Sequence, residues 1–120
     1  MKKVDRFSFG VDNDKLIELV LNGKKTATTY LYKESNVPKK GDLSMLVYNN
    51  GKDACKIETI NVIITEFKNI TEDLAYLEGE GNRSLDYYKK VHTNFFKAID
   101  EDFNENTKVV FEVFKVIEKY

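Results

Sequence analysis

Cysteine, histidine and proline occur once each in this 120-residue chain and tryptophan not at all. Cys55 has no second thiol with which to close an internal disulfide, and with His92 as the sole imidazole there is no cluster of the kind that holds zinc. Neither a structural metal nor a cofactor is expected. No long hydrophobic run exists: the apolar stretches at residues 62–64 and 109–111 fall far short of the roughly 20 residues that span a bilayer. The charged start Met1-Lys2-Lys3-Val4-Asp5-Arg6 is followed by no apolar h-region, so neither a secretory leader nor a membrane is expected, and the cytoplasm is the expected compartment. Charge of one sign is missing too. A formal net charge of −1 excludes a generic polyanion binder, so any nucleic-acid contact has to come from local patches.

What is present suffices for one core. Hydrophobic residues make up 42% of the chain and include seven Tyr and eight Phe, which argues against disorder, and no repeat or composition shift divides residues 1–120. A single domain is expected. Phe7 and Phe9 alternate in a short strand over residues 3–9. Leu16, Ile17, Val20 and Leu21 recur at helical spacing, with cap residues at 12–14 and Gly23 beyond the last turn, which predicts a helix over 13–22. Residues 26–32, rich in Thr and Tyr, predict a strand, and residues 33–40 around Pro38 an exposed loop.

Strands are expected over 43–48 and 54–67, joined at Asn49-Asn50-Gly51 because both central residues of such a turn tolerate positive φ. The second run exceeds an ordinary strand, so a bend or bulge is expected near 58–61. Thr71 followed by Glu72 and Asp73 starts a short helix ending at Gly79 and Gly81, and Ser84 caps a longer one with Leu85, Tyr88, Val91, Phe95 and Ile99 along one face. After an acidic, Asn-rich turn, residues 108–117 alternate as a closing strand.

Two turn-rich segments carry most of the chemistry. In Gly23-Lys24-Lys25-Thr26-Ala27-Thr28 a helix end delivers two ammonium groups and two threonine hydroxyls into one corner. By spacing alone the lysines could equally complement a helix C-terminus while the threonines suit a strand. In Glu78-Gly79-Glu80-Gly81-Asn82-Arg83-Ser84 a carboxylate pair sits in a flexible corner; its plain reading is a C-cap, a turn and an N-cap.

Together with Pro38-Lys39-Lys40-Gly41-Asp42 leading into a strand, and with Tyr87-Tyr88 and Val91-His92 after the second segment, these motifs resemble the ASCH domain over nearly the whole chain. The resemblance implies an α+β fold, a small, mostly antiparallel PUA-like β-barrel with flanking helices, and a role in binding RNA. It implies recognition of RNA or a modified nucleoside in a cleft between residues 23–28 and 78–83. One branch of the family is similar to an amidohydrolase that deacylates N4-acetylcytidine, with a lysine as proton acceptor, a threonine as nucleophile and a glutamate as proton donor. By motif position these fall on Lys25, Thr28 and Glu78. This chain is longer than that branch and its 79–83 corner resembles another, so binding is the first expectation and hydrolysis the alternative.

A threonine hydroxyl needs a base, and Lys25 could serve if burial or the neighbouring Lys24 lowered its pKa. Residues three apart on a regular strand face opposite ways, so Lys25 and Thr28 converge only if the corner is turned or bulged. Lys24, Thr26, Glu80, Arg83, Tyr87 and His92 are the expected ligand contacts. Tyr87 is the better candidate for stacking on a base because Tyr88 shares the apolar face, and a lone His92 beside that face could equally be structural. Cys55 belongs in the core. A metal-assisted ribonuclease is a third option, although Glu78 and Glu80 alone make a poor metal site. An RNA surface would have to join Lys24, Lys25, Lys39, Lys40, Arg83, Lys89 and Lys90.

Overall fold

A computed structural model describes residues 4–10 and 12–120. Eight principal elements follow one another: β1 (Val4–Phe7), α1 (Asn13–Leu21), β2 (Ala27–Leu31), β3 (Leu43–Val47), β4 (Asp53–Glu66), α2 (Glu72–Glu78), α3 (Leu85–Ile99) and β5 (Lys108–Lys119). The expected strand over 3–9 is shorter, and its first residue lies outside the described residues. The strands form one mixed sheet in the order β1-β3-β4-β5-β2, with β1 parallel to β3 and the other pairs antiparallel.

This sheet corrects the expected closed barrel. Among the described residues β1 pairs with β3 and β2 with β5, so both remain edges. Their four and five residues offer little ladder to join across the seam. The long pair β4 and β5 supplies the curvature: register shifts between Lys56 and Ile57 and between Thr59 and Asn61 bend it where the over-long run demanded. The β3–β4 turn is the expected hairpin, with the Tyr48 amide donating to the Lys52 carbonyl at 2.9 Å and Gly51 at φ 88°.

Local chemistry sets the helices with two departures. Thr71 and Ser84 cap α2 and α3 through bonds from the Leu74 and Tyr87 amides at 3.3 and 3.1 Å. Asp12, in contrast, has φ 52° and makes no side-chain cap. Asn13 ties down the start of α1 instead, accepting from the Phe9 amide at 2.7 Å and donating to the Val47 carbonyl at 2.8 Å. On α3 the buried row is Tyr88, His92 and Phe96. Ile99, expected inside, is 60% exposed, because the row four residues apart turns toward the sheet and carries the helix's last turn outward.

Two apolar clusters result. Phe67, Tyr88, Phe96, Phe103 and Phe111 lie between α2, α3 and the sheet. Phe9, Ile17, Val20, Leu46, Cys55 and Phe114 lie under α1, with Cys55 fully buried as expected. The functional candidates occupy the boundary between these clusters. No described helix is long and apolar enough to cross a membrane.

Candidate functional site

The corner after α1 turns Lys25 inward. The amides of Lys24 and Lys25 both donate to the Leu19 carbonyl at 3.0 Å, closing the helix, and the Thr26 amide donates to the Leu77 carbonyl at 2.8 Å. The chain is thereby docked along the last turn of α2. Gly79 makes this approach possible: its φ is 75°, and a Cβ there would collide with the Lys24 carbonyl. The left-handed residue also reverses the chain, so that Glu78 and Glu80 reach the same ammonium group.

Lys25 is 1% exposed. Its Nζ donates to Glu78 Oε1 at 2.5 Å, Glu80 Oε2 at 3.0 Å and the Glu78 carbonyl at 3.3 Å, which accounts for all three ammonium protons. The ammonium also stands 5.3 Å from the centre of the Phe9 ring. The second oxygen of Glu78 accepts from Thr29 Oγ1 at 2.6 Å, and Thr29 lies 2.8 Å from the Tyr88 hydroxyl. His92 stacks on Tyr88 with ring centres 4.0 Å apart, and its Nε2 is 3.4 Å from Glu78 Oε2. A carbonyl can only accept, so His92 Nδ1, 2.9 Å from the Tyr88 carbonyl, carries a proton.

The electrostatics follow from this crowding. Burial pulls the Lys25 pKa down, but Glu78 and Glu80 outweigh it and hold Lys25 above its ordinary value. Burial would raise Glu78; Lys25 and His92 overcome it and keep Glu78 low. Glu80 goes the other way, raised by burial and by Glu78 despite the attraction of Lys25. His92 is raised too, since its contacts with Glu78 and the Tyr88 carbonyl exceed the effect of burial. Tyr88 is pushed up by burial and by Glu78, so its hydroxyl remains a donor. These directions favour the ammonium form of Lys25 and the carboxylate form of Glu78, and in Glu80 and His92 they favour the protonated form.

The cluster forms the floor of a cavity of about 490 Å³, which Lys25, Thr28, Glu78, Glu80, Tyr87 and His92 all border. Phe9, Leu16, Val91 and Phe95 supply apolar wall. Thr28 follows from the register rather than from the cluster: it sits opposite Glu112, on the face from which Tyr30 also projects, whereas its neighbour Thr29 points to Glu78. Three expected contacts stand outside the cavity. Lys24 is exposed, so it does not act on Lys25 as a cationic neighbour, and Thr26 Oγ1 donates to the Leu77 carbonyl at 3.3 Å. Arg83, at φ 63°, lies 3.6 Å over the Tyr76 ring and donates to the Tyr76 and Lys24 carbonyls at 3.1 and 3.2 Å, clamping both segments from outside.

Sequence reasoning missed Thr29 and the polar role of Tyr88. The Tyr88–His92 spacing on α3 was the available signal, since residues four apart share a helix face. Glu78, Glu80 and His92 offer atoms within 4.8 Å of one another that could ligate a metal. Lys25 already bridges the two carboxylates, so a divalent ion would have to displace a buried ammonium.

The chain belongs to the ASCH domain family, whose profile matches residues 5–118. The ASCH domain from Lactobacillus crispatus JV V101 is 30% identical over 97% of this chain and 80% of its own, with a TM-score of 0.89. Protein EF3133 from Enterococcus faecalis V583 is 28% identical over 100% of this chain and 84% of its own, with a TM-score of 0.86. A mutant of the ASCH protein from Zymomonas mobilis, 10% identical over 93% of this chain and 67% of its own with a TM-score of 0.58, shares the fold. No curated protein matches significantly.

Proposed function

We propose that this chain recognises a nucleobase, carried by a free nucleoside or by an unstacked position in RNA, in the cavity above Lys25, Glu78 and Glu80. The observation that carries this reading is the position of Glu80. Its side chain is 17% exposed while those of Lys25 and Glu78 are 1% and 2% exposed, so it is the member of the cluster that meets a ligand. With its carboxyl pKa raised, Glu80 can accept a hydrogen bond from an exocyclic amine through its carbonyl oxygen and, when protonated, donate one to a ring nitrogen, the two functions displayed side by side on the pairing edge of cytosine. Tyr87, 38% exposed at the cavity border, offers a ring on which a base can stack.

The same features favour a small ligand over a strand. Of the seven basic residues that would form an RNA surface, Lys25 is buried among carboxylates, Arg83 holds two carbonyls and Lys89 donates to the Phe67 carbonyl at 2.6 Å. Calorimetric titration with cytidine, uridine, N4-acetylcytidine and a short single-stranded RNA tests the proposal. Cytidine-type ligands should bind better than uridine, and Glu80→Gln should weaken them about tenfold. Binding by the oligonucleotide alone, with steep salt dependence, would move the ligand from nucleoside to RNA. Absence of saturable binding by all four would refute the proposal.

Hydrolysis of an N4-acyl group is the second reading: Lys25, Thr28 and Glu78 border one cavity, but Thr28 leaves β2 on the face opposite Thr29 and Glu78, so its hydroxyl would have to reach the acyl group from the cavity rim. In that reaction the Thr28 hydroxyl loses its proton to a base and attacks the acyl carbon; the C–N bond breaks, the amine takes a proton, and water then releases the carboxylic acid from the threonine ester. Lys25 could act as the base only after passing its proton on, and Glu80 or His92 is the better donor to the amine because Glu78 is held ionised. Chromatographic detection of acetate from N4-acetylcytidine, lost about 100-fold in Lys25→Ala, would establish turnover; no release by the intact protein would leave recognition alone.

A further inference from the structure

A second cavity, of about 660 Å³, lies in the seam that the open sheet leaves between its edges, drawing on Asp5 and Arg6 of β1 and on Tyr30 of β2. It shares no residue with the first: β2 separates the two, sending Thr29 to Glu78 and Tyr30 to Glu112. Glu112, in the middle of β5, is 8% exposed and borders this second space. Thr59 Oγ1 donates to one of its oxygens at 2.7 Å and the Tyr30 hydroxyl to the other at 3.0 Å. Burial and Glu112 push the Tyr30 pKa up, which keeps that hydroxyl a donor.

Each carboxylate oxygen can accept more than one hydrogen bond, so both retain capacity toward the cavity. Among the described residues no cationic side chain forms an ion pair with Glu112. Among the described residues Arg6 is the one basic residue on the border, and its guanidinium is on Asp53 Oδ1 at 2.9 Å and on the Gly51 carbonyl at 3.2 Å. Among the described residues Glu112 therefore has two hydroxyl donors but no cationic partner, and a cation entering the cavity would supply one. Asp5 and Asp42, also on the border, are further acidic residues.

We propose that this seam cavity binds a small organic cation bearing a primary ammonium group, with Glu112 as its counter-ion. An ammonium group supplies N–H donors for the open positions on the Glu112 oxygens, and Phe7, Val37, Pro38 and Leu43 give an apolar path for an alkyl stem. A metal ion fits less well, because among the described residues the only convergent set of potential ligands is the one at Glu78, Glu80 and His92.

Putrescine is the probe, titrated into the intact protein at low ionic strength by calorimetry and by backbone amide chemical shifts, with tetramethylammonium as a cation that has no N–H donor. Saturable binding of putrescine, with shifts centred on Tyr30, Thr59 and Glu112, is expected, and tetramethylammonium should not reproduce it. Glu112→Gln keeps the side-chain volume and should weaken putrescine at least about tenfold. Asp42→Asn, at the border, should weaken it less and serves if the first variant fails to fold. Absence of saturable binding by the wild type, equal binding of tetramethylammonium, or unchanged affinity in both variants would overturn the proposal.

Discussion

Replacing Lys25 with methionine removes one charge from the centre of the molecule while keeping much of the side chain's volume. Lys25 is 1% exposed and is the ion-pair partner of both Glu78 and Glu80, so Lys25→Met leaves two carboxyl groups facing each other in a site from which water is largely excluded. Breaking a buried pair in this way costs about 3–5 kcal/mol. An unfolding entropy of about 2.1 cal/mol/K per residue amounts to about 0.25 kcal/mol/K here, so a loss of about 4 kcal/mol should lower Tm by about 16 °C. The sign of the pH dependence is also determined. In the wild type the Glu78 pKa is depressed, so its contribution is present above its ordinary value of 4.5 and fades as pH falls through the folded value. In Lys25→Met the carboxyls are held above that value instead, so the deficit relative to wild type should grow as pH rises.

Urea unfolding of the wild type, Lys25→Met, Glu78→Gln and the double variant between pH 4 and pH 8 measures both effects. The double variant should lose about 2 kcal/mol less than the two single losses combined, because the Lys25–Glu78 interaction is lost in both single variants and so counted twice, although Glu80 remains without its ammonium. A loss below about 1 kcal/mol for Lys25→Met, or strict additivity in the cycle, would refute the picture of a buried, mutually dependent cluster.

Gly79→Ala should cost about 1–3 kcal/mol in urea unfolding, since φ 75° and the Lys24 carbonyl both oppose a Cβ; an unchanged midpoint would show that residues 24–26 do not need this close approach. Tyr87→Ala should weaken nucleoside binding about tenfold with little effect on Tm, as expected for a half-exposed stacking ring. The His92 pKa is raised, so its stabilising contribution is complete below its ordinary 6.5 and disappears as pH rises through the folded value. The stability lost in His92→Gln should accordingly be largest on the acid side and shrink with rising pH, and a pH-independent loss would assign His92 to packing alone.

Local rules reached far into this fold. The hydroxyl caps at Thr71 and Ser84, the Asn-Gly hairpin and the bend in β4 each depend on a few neighbouring residues whose preferences act before any tertiary contact forms. The two charged corners were legible through their resemblance to ASCH motifs, since by spacing alone each reads as an ordinary cap and turn. The chain alone could not say which way those corners face. Lys24 and Lys25 are adjacent and chemically alike, yet docking of residues 24–26 onto the last turn of α2 buries one and leaves the other in water. Glu78 and Glu80 likewise acquire opposite pKa shifts only because both meet one ammonium group, 53 and 55 residues away in the chain. Whether the sheet closes depends on the distance between β1 and β2, separated by most of the curvature that β4 and β5 accumulate, and no local pattern encodes that distance. The same long-range geometry decides that Thr29, rather than Thr28, touches Glu78: strand alternation makes the two threonines exclusive, and only the register of β2 against β5 selects between them.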